Sequence, residues 1–218
     1  PYERKDALTL SDKLGSTIYN AALETSKELV ATRGTFLDYD ADRYAYEPRR
    51  NILLLAIAPT ATISNIAGTS SGIEPFFSNV YARETLSGKF TIIVKHLIDK
   101  LKAKNMWNDE IKGKIMSNQW SVQHIEELEG VINRKLFKTV YESTPFSQID
   151  MAAVRQKYVD QAISRNMYME ESDRANLFDI YMYAWQQGVK STYYCFIEKN
   201  IQWEKYTESV NKRGVRTG

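Results

Sequence analysis

The sequence predicts a helix-rich α/β fold. Three observations carry that reading. Residues 11–33 repeat apolar side chains at helical spacing. Asn51–Ala58 is apolar at nearly every position and closes at Pro59. Val189–Ile197 is dense in β-branched and aromatic residues. The first pattern is that of an amphipathic helix, and the other two belong to strands.

In the first helix Leu14, Ile18, Ala21, Ala22, Leu29 and Val30 recur at threes and fours. Ser11 or Asp12 stands where a cap belongs, and Gly34 ends the run. Asp38–Arg50 is polar and tyrosine-rich and reads as a surface loop. Asn51–Ala58 reads as a strand buried on both faces, as in a parallel sheet or an α/β barrel, with a buried helical segment as the alternative. A Ser-Gly turn breaks the chain between Leu86 and Phe90. Residues 92–104 and 108–118 form two short helices, the first with Ile93, Leu97 and Leu101 on one face. Gly130–Thr144 is a further helix, stopped by Pro145. Residues 148–163 make another, and Asp173–Gln187 another, terminated by Gly188. Val189–Ile197 follows as a strand.

The chain has 218 residues, enough for one or two domains with a buried core. Its 29 basic and 27 acidic side chains nearly cancel. That balance argues against direct DNA binding, which goes with a concentrated basic excess. The longest apolar run, Ile52–Ala58, is far short of a bilayer span, and no secretory leader is evident. Cys195 is the only cysteine, so neither an internal disulfide nor a cysteine-rich metal cluster can form within these residues. A reducing cytoplasm is the simplest setting. Pro1 fits a start exposed by methionine removal and equally a cut fragment.

Two segments carry chemistry. In APTATISNIAGTSSGIEP, Ala58–Pro75, an apolar run ends at Pro59 and leads through Thr60, Thr62 and Ser64 into a short helix closing near Gly68. Hydroxyls and unpaired N–H groups at a helix start favour an anion, and a diphosphate suits the site. Simple capping by Thr60 or Thr62 explains the same residues, and no Gly-Lys-Thr signature is present. In YAWQQGVKSTYYCF, Tyr183–Phe196, two adjacent tyrosines sit on the expected strand, so one ring should face inward and the other to the far side. Packing alone also explains such a pair. Cys195 reads as a small buried hydrophobe, and His96 and His124 as surface or structural residues with no metal-spaced partner.

In order and in register, these segments resemble the large subunit of class I (aerobic) ribonucleotide reductase. The resemblance runs through LLLAIAPTATISNIAGTSSGIEP, NVYARETLSGKF (Asn79–Phe90), LFKTVYES (Leu136–Ser143), MAAVRQKYVDQAISRNMYM (Met151–Met169) and YAWQQGVKSTYY. It implies that residues 1–218 are the carboxy-terminal part of a ten-stranded α/β barrel, represented by its later strands and helices. It implies that Pro59, Thr60, Ala61, Thr62, Ile63 and Ser64 hold the substrate diphosphate. Ile63 stands where the family often has a hydroxyl, so its contribution is its backbone. Tyr193 and Tyr194 match the tyrosine pair that relays a radical from the small subunit to an active-site cysteine.

The family's three reaction cysteines, with their neighbouring asparagine and glutamate, have no counterpart here. The resemblance therefore implies partners: an amino-terminal large-subunit chain bearing those cysteines, a metal-bearing small (β) subunit, and a dithiol reductant of the thioredoxin or glutaredoxin type. No cofactor or metal is expected on this chain itself. One piece of a split reductase large subunit is the enzymatic reading. A relict nucleotide-binding or assembly module that regulates a reductase is the non-catalytic alternative.

Overall fold

The computed structural model describes residues 1–44, 47–85, 88–118 and 120–198. Helix α1 (Lys5–Glu28) starts six residues ahead of Ser11, with Arg4 at its cap position making no side-chain cap bond and Asp6 complementing the dipole. Ser11 lies inside the helix, buried, where its Oγ accepts from Arg155 Nε at 2.8 Å. Asp12 takes the Tyr158 hydroxyl at 3.1 Å and Lys157 Nζ at 3.2 Å. Both candidate caps therefore dock α1 on helix α6 (Pro145–Gln156) and on the turn that follows it. Gly15 permits this approach, since a Cβ there would come within 2.6 Å of the Tyr158 ring. A short helix α2 (Val30–Arg33) follows and ends at Gly34, whose φ of 69° needs glycine. The apolar stripe of α1 is half bare: Leu10, Leu14 and Ile18 are 53–57% exposed. With Leu55 and Ile57 they line a cavity of about 510 Å³.

Asp38–Arg50 forms neither helix nor strand where it is described; Ala45 and Tyr46 lie outside the described residues. Asn51–Ala58 departs from its expected burial. It is extended, but its only β-bridge among the described residues pairs Ile57 with Ile163, and Ile52 and Leu53 are 39% and 50% exposed. A strand is buried on both faces only when neighbours flank it and helices cover it. Here one neighbouring stretch pairs with it, on one side.

The next lobe opens with a hairpin that composition did not reveal. Strands β1 (Val80–Thr85) and β2 (Gly88–Ile93) pair antiparallel from Val80↔Ile93 to Thr85↔Gly88. The Leu86–Ser87 turn itself lies outside the described residues. A short helix α3 (Ile63–Ala67) precedes the hairpin, and helices α4 (Lys95–Ala103) and α5 (Asp109–Ser117), which come after it, follow the expected spans closely. Asn108 caps α5, accepting from Ile111 N at 2.9 Å. Leu97, Leu101, Ile111, Ile115, Val122 and Leu128 form the lobe's core, each 2% exposed or less.

Gly130–Thr144 is not a helix. Gly130 has φ +71°, one 3₁₀ turn spans Arg134–Phe137, and the rest is irregular. Its carbonyls are bonded to side chains from elsewhere. Gln123 Nε2 donates to Arg134 O at 2.8 Å, Asn79 Nδ2 to Phe137 O at 3.0 Å, and Gln148 Nε2 to Val140 O and Ser143 O at 3.0 and 2.9 Å. Tertiary bonds thus replace the i→i−4 ladder. Helix α6 begins at Pro145 under a Thr144 cap and ends at Gln156, seven residues before the expected end.

Strand β3 (Met167–Glu170), also not anticipated, pairs parallel with β4 (Cys195–Glu198). Between them a 3₁₀ turn (Glu171–Asn176) leads into helix α7 (Leu177–Gln186), and Gly188 ends it at φ +73°. The expected strand Val189–Ile197 is regular only over β4. Ile149, Met167, Met169, Ile180 and Ala184 form a second core beneath this sheet. No helix among the described residues is long and apolar enough to cross a membrane.

Candidate functional site

One extended stretch, residues 160–167, lies between the two segments singled out in the sequence. On one side Asp160 Oδ2 accepts from Leu54 N at 2.8 Å and Leu55 N at 2.9 Å. Gln161 N donates to Leu55 O and Ser164 N to Ile57 O, at 3.3 and 3.0 Å. On the other side Tyr193 N donates to Arg165 O at 2.8 Å, and Met167 N to Tyr194 O at 2.7 Å. The stretch that leads into the threonine-rich loop and the tyrosine pair are thus bonded to opposite edges of the same extended stretch, which puts those backbones about 10 Å apart, two strand spacings.

The loop begins at Pro59. Thr60 stands in the left-handed region at φ 51°, a strained place for a β-branched residue, costing about 1–3 kcal/mol. Its Oγ1 accepts from Gly72 N at 2.7 Å, and its carbonyl accepts from Ser64 N at 2.9 Å. Ser64 is buried, with its Oγ 3.2 Å from that of Ser71. Thr60 and Ser64 therefore shape the loop by tying it to residues 71–72. Thr62 differs. It precedes α3 but makes no side-chain cap bond, so the capping explanation fails there. Its exposed hydroxyl, with the N–H groups of Ala61, Thr62 and Ile63, has no acceptor or donor among the described residues. Ile63 is 67% exposed and adds no polar side chain. Gly68 ends α3 in the left-handed conformation, where the sequence placed its close.

The two tyrosine rings do not face opposite ways. Their centroids are 4.3 Å apart at 54°, and both residues are half exposed, at 53% and 56%. In a regular parallel ladder the residue that donates opposite Asn166 also accepts. Here Tyr193 donates and Tyr194 accepts, so two residues oppose one. That extra residue is a β-bulge, which re-aims a side chain and lets neighbours share a side. The adjacent Tyr194 phenol holds the Tyr193 hydroxyl above its ordinary pKa.

The aromatic contacts continue inward. Phe196 lies 5.9 Å from Tyr194 and stacks on Tyr168 at 5.3 Å and 16°. Asn166 Nδ2 donates to the Tyr168 hydroxyl at 3.2 Å, and Asn166 N to Glu74 Oε1 at 2.7 Å. Burial pushes the Tyr168 phenol well above its usual range and raises the Glu74 carboxyl. Arg165 is buried, with Nε donating to Gln148 O at 3.3 Å, and burial lowers its pKa. Glu74 lies in the Ile-Glu-Pro and Asn166 in the Met151–Met169 stretch of the resemblance, and the sequence alone assigns neither residue a part. Their signal was visible only as polar residues inside apolar runs.

Cys195 is exposed, not buried as expected, because nothing in the described chain covers that face of β4. Its Sγ lies 3.9 Å from Met169 Sδ, and what burial it has raises its pKa. His96 and His124 are exposed. No cluster of three or more His, Cys, Asp or Glu side chains able to hold a metal occurs among the described residues.

Comparison with known proteins decides the family. The family described as ribonucleotide reductase, barrel domain, matches residues 45–195. The chain belongs to that family. The ribonucleoside-diphosphate reductase large subunit of Danio rerio is 34% identical over 221 residues, covering 89% of this chain and 28% of the relative. That of Caenorhabditis elegans is 31% identical, covering 100% of this chain and 31% of the relative. Among solved structures, the Actinobacillus ureae class Id ribonucleotide reductase alpha subunit superposes with a TM-score of 0.76 at 31% identity, over 91% of this chain and 35% of that one. The chain thus spans about a third of the length of these relatives, and its fold is a helix-rich portion of the ribonucleotide reductase barrel.

Proposed function

We propose that residues 1–218 are the carboxy-terminal part of the barrel domain of a class I ribonucleoside-diphosphate reductase large subunit. In this reading they supply the substrate-diphosphate loop and the tyrosine pair of the radical path that reduces ribonucleotides to deoxyribonucleotides. The observation that carries it is the shared extended stretch at 160–167, whose two edges bond the run leading into the loop and the tyrosine pair.

Pro59 to Ser64 then offers the diphosphate the N–H groups of Ala61, Thr62 and Ile63 and the hydroxyl of Thr62, while Thr60 and Ser64 keep the loop in shape. Tyr193 and Tyr194 exchange a hydrogen atom. The O–H bond of one breaks as that of the other forms, and proton and electron move together. An ordinary phenol keeps its proton at neutral pH, so the transfer needs no prior ionisation. The partners are an amino-terminal large-subunit segment with the reaction cysteines, a metal-bearing small subunit, and a thioredoxin- or glutaredoxin-type dithiol, in the cytoplasm.

Reconstitution tests this. Residues 1–218, the cysteine-bearing segment, the small subunit, a ribonucleoside diphosphate and a dithiol should together yield deoxynucleotide, and omission of any one should stop it. No product from the complete mixture, with the small-subunit radical present, would sink the proposal.

A further inference from the structure

We propose that Asp160 and Lys190 are positioning residues that fix the spacing between the loop and the tyrosine pair, a role that rests on the reading above. Asp160 stands at the head of the shared strand. Its Oδ2 gathers two successive N–H groups, those of Leu54 and Leu55, at 2.8 and 2.9 Å. The two successive amides thus share one carboxylate oxygen as their acceptor. That contact sets where the extended stretch begins, and the loop starts four residues further on, at Pro59.

From the other side Lys190 Nζ donates to Asp160 O at 2.5 Å and to Val159 O at 3.2 Å, and Lys190 N to Gln156 Oε1 at 3.4 Å. Three residues later the chain reaches Tyr193. Asp160 is therefore gripped twice, through its carboxylate toward the loop and through its carbonyl toward the tyrosines. The stretch between has no glycine or proline to absorb a shift, since residues 160–167 read DQAISRNM. Hydrogen bonds to a charged group are the stronger kind, and each of these two residues supplies the charge for two of them.

The two halves of the clamp separate kinetically. In the reconstituted reductase Asp160→Ala, which removes both hydrogen bonds to the carboxylate, should raise KM for the ribonucleoside diphosphate about tenfold, with kcat nearly unchanged. Asp160→Asn should restore KM, because its amide oxygen can accept from the same two amides. Hydrogen exchange at Leu54 and Leu55 should quicken in Asp160→Ala and not in Asp160→Asn. Lys190→Met keeps the stem and drops the donors; it should lower kcat about tenfold with KM unchanged. A residue that merely supports the fold would move KM, kcat and melting temperature together in both variants. If Asp160→Ala does not assemble, Asp160→Ser serves, its hydroxyl being too short to span both amides.

Wild-type KM in Asp160→Ala, no rescue by Asn, or a Lys190→Met effect on KM alone overturns the clamp. Thr62→Ala, run alongside, separates the two ideas. If it leaves substrate affinity untouched, the loop reading itself fails. If it weakens binding while Asp160→Ala does not, the clamp alone fails.

Discussion

The rings of Tyr193 and Tyr194 meet at 4.3 Å between centroids, although the two residues are neighbours in an extended chain. Phenylalanine at either position keeps the ring and its packing and removes only the transferable O–H. If these were ordinary surface aromatics, each change would cost about 0.5–1.5 kcal/mol of stability and leave turnover in place. In a relay, Tyr193→Phe and Tyr194→Phe each abolish deoxynucleotide formation while substrate binding and subunit assembly stay normal. Substantial turnover by either variant complex, with the small-subunit radical intact, rules the relay out.

Thr62 and Thr60 should behave differently. Thr62→Ala removes a hydroxyl with no partner among the described residues, so stability should hold while substrate affinity drops by about 1.5–3 kcal/mol. Thr60→Ala removes the acceptor of the Gly72 N–H, so it should lower the melting temperature as well. Calorimetry of substrate binding beside thermal melts checks both. Equal affinity losses with equal stability losses would mean that Thr62 is a structural residue.

Glu74 ties stability to pH. Burial raises its folded pKa above the ordinary carboxylate value, so the folded state keeps its proton to higher pH than the unfolded chain. Its contribution to stability is therefore greatest at low pH and declines as pH climbs through the window between the two values. Glu74→Gln cannot ionise and keeps an oxygen for the Asn166 N–H. Across melts taken from pH 4 upward (roughly the unperturbed carboxylate range), the variant should gain on the parent with rising pH. A difference that runs the other way would mean that Asn166 and the Tyr168 phenol stabilise the carboxylate more than burial penalises it.

Gln148 donates to three backbone carbonyls, Val140 O, Ser143 O and Tyr168 O, from a side chain only 3% exposed. Gln148→Leu fills similar space and strands those acceptors. A loss of about 1–3 kcal/mol in urea unfolding is expected, the cost of leaving a buried polar group unpaired. A loss under about 0.5 kcal/mol, the lower end for one net hydrogen bond, would show that water reaches them.

Residues 1–218 expressed by themselves should be poorly soluble and form no deoxynucleotide. Leu10, Leu14 and Ile18 on α1 and Phe178 and Trp185 on α7 stand bare, and α7's two are over 70% exposed. Measurable product from the pure polypeptide would refute the assignment of reaction cysteines to a separate segment.

Sequence periodicity located α1, α4, α5 and α7 because each carries its own apolar stripe and a stop at or near its end. It failed at Gly130–Thr144, where the apolar spacing is helical but Gln123, Asn79 and Gln148 take the carbonyls. No local pattern encodes a bond to a side chain from a distant part of the chain. The β1–β2 hairpin shows in the sequence only through the Ser-Gly turn between its strands. The substrate loop was legible as a motif, but the division of labour within it was not: Thr60 and Thr62 look alike until Gly72 is brought alongside Thr60. Likewise a doubled tyrosine predicts opposite faces, and only the pairing with Arg165 and Met167 reveals the extra residue that turns both rings one way.

Asp160 to Met167 is bonded along both edges, and this constrains its length more tightly than its composition. Side chains there can be exchanged where the packing tolerates them, because most of the edge bonds are made by backbone. One residue added or lost would slide the loop against the tyrosines by a full residue step, about 3.3 Å, and invert every side chain beyond it. Insertions and deletions in related chains should therefore gather in the exposed connections, such as the turn after Gly130, and skip these eight positions even where their residues differ.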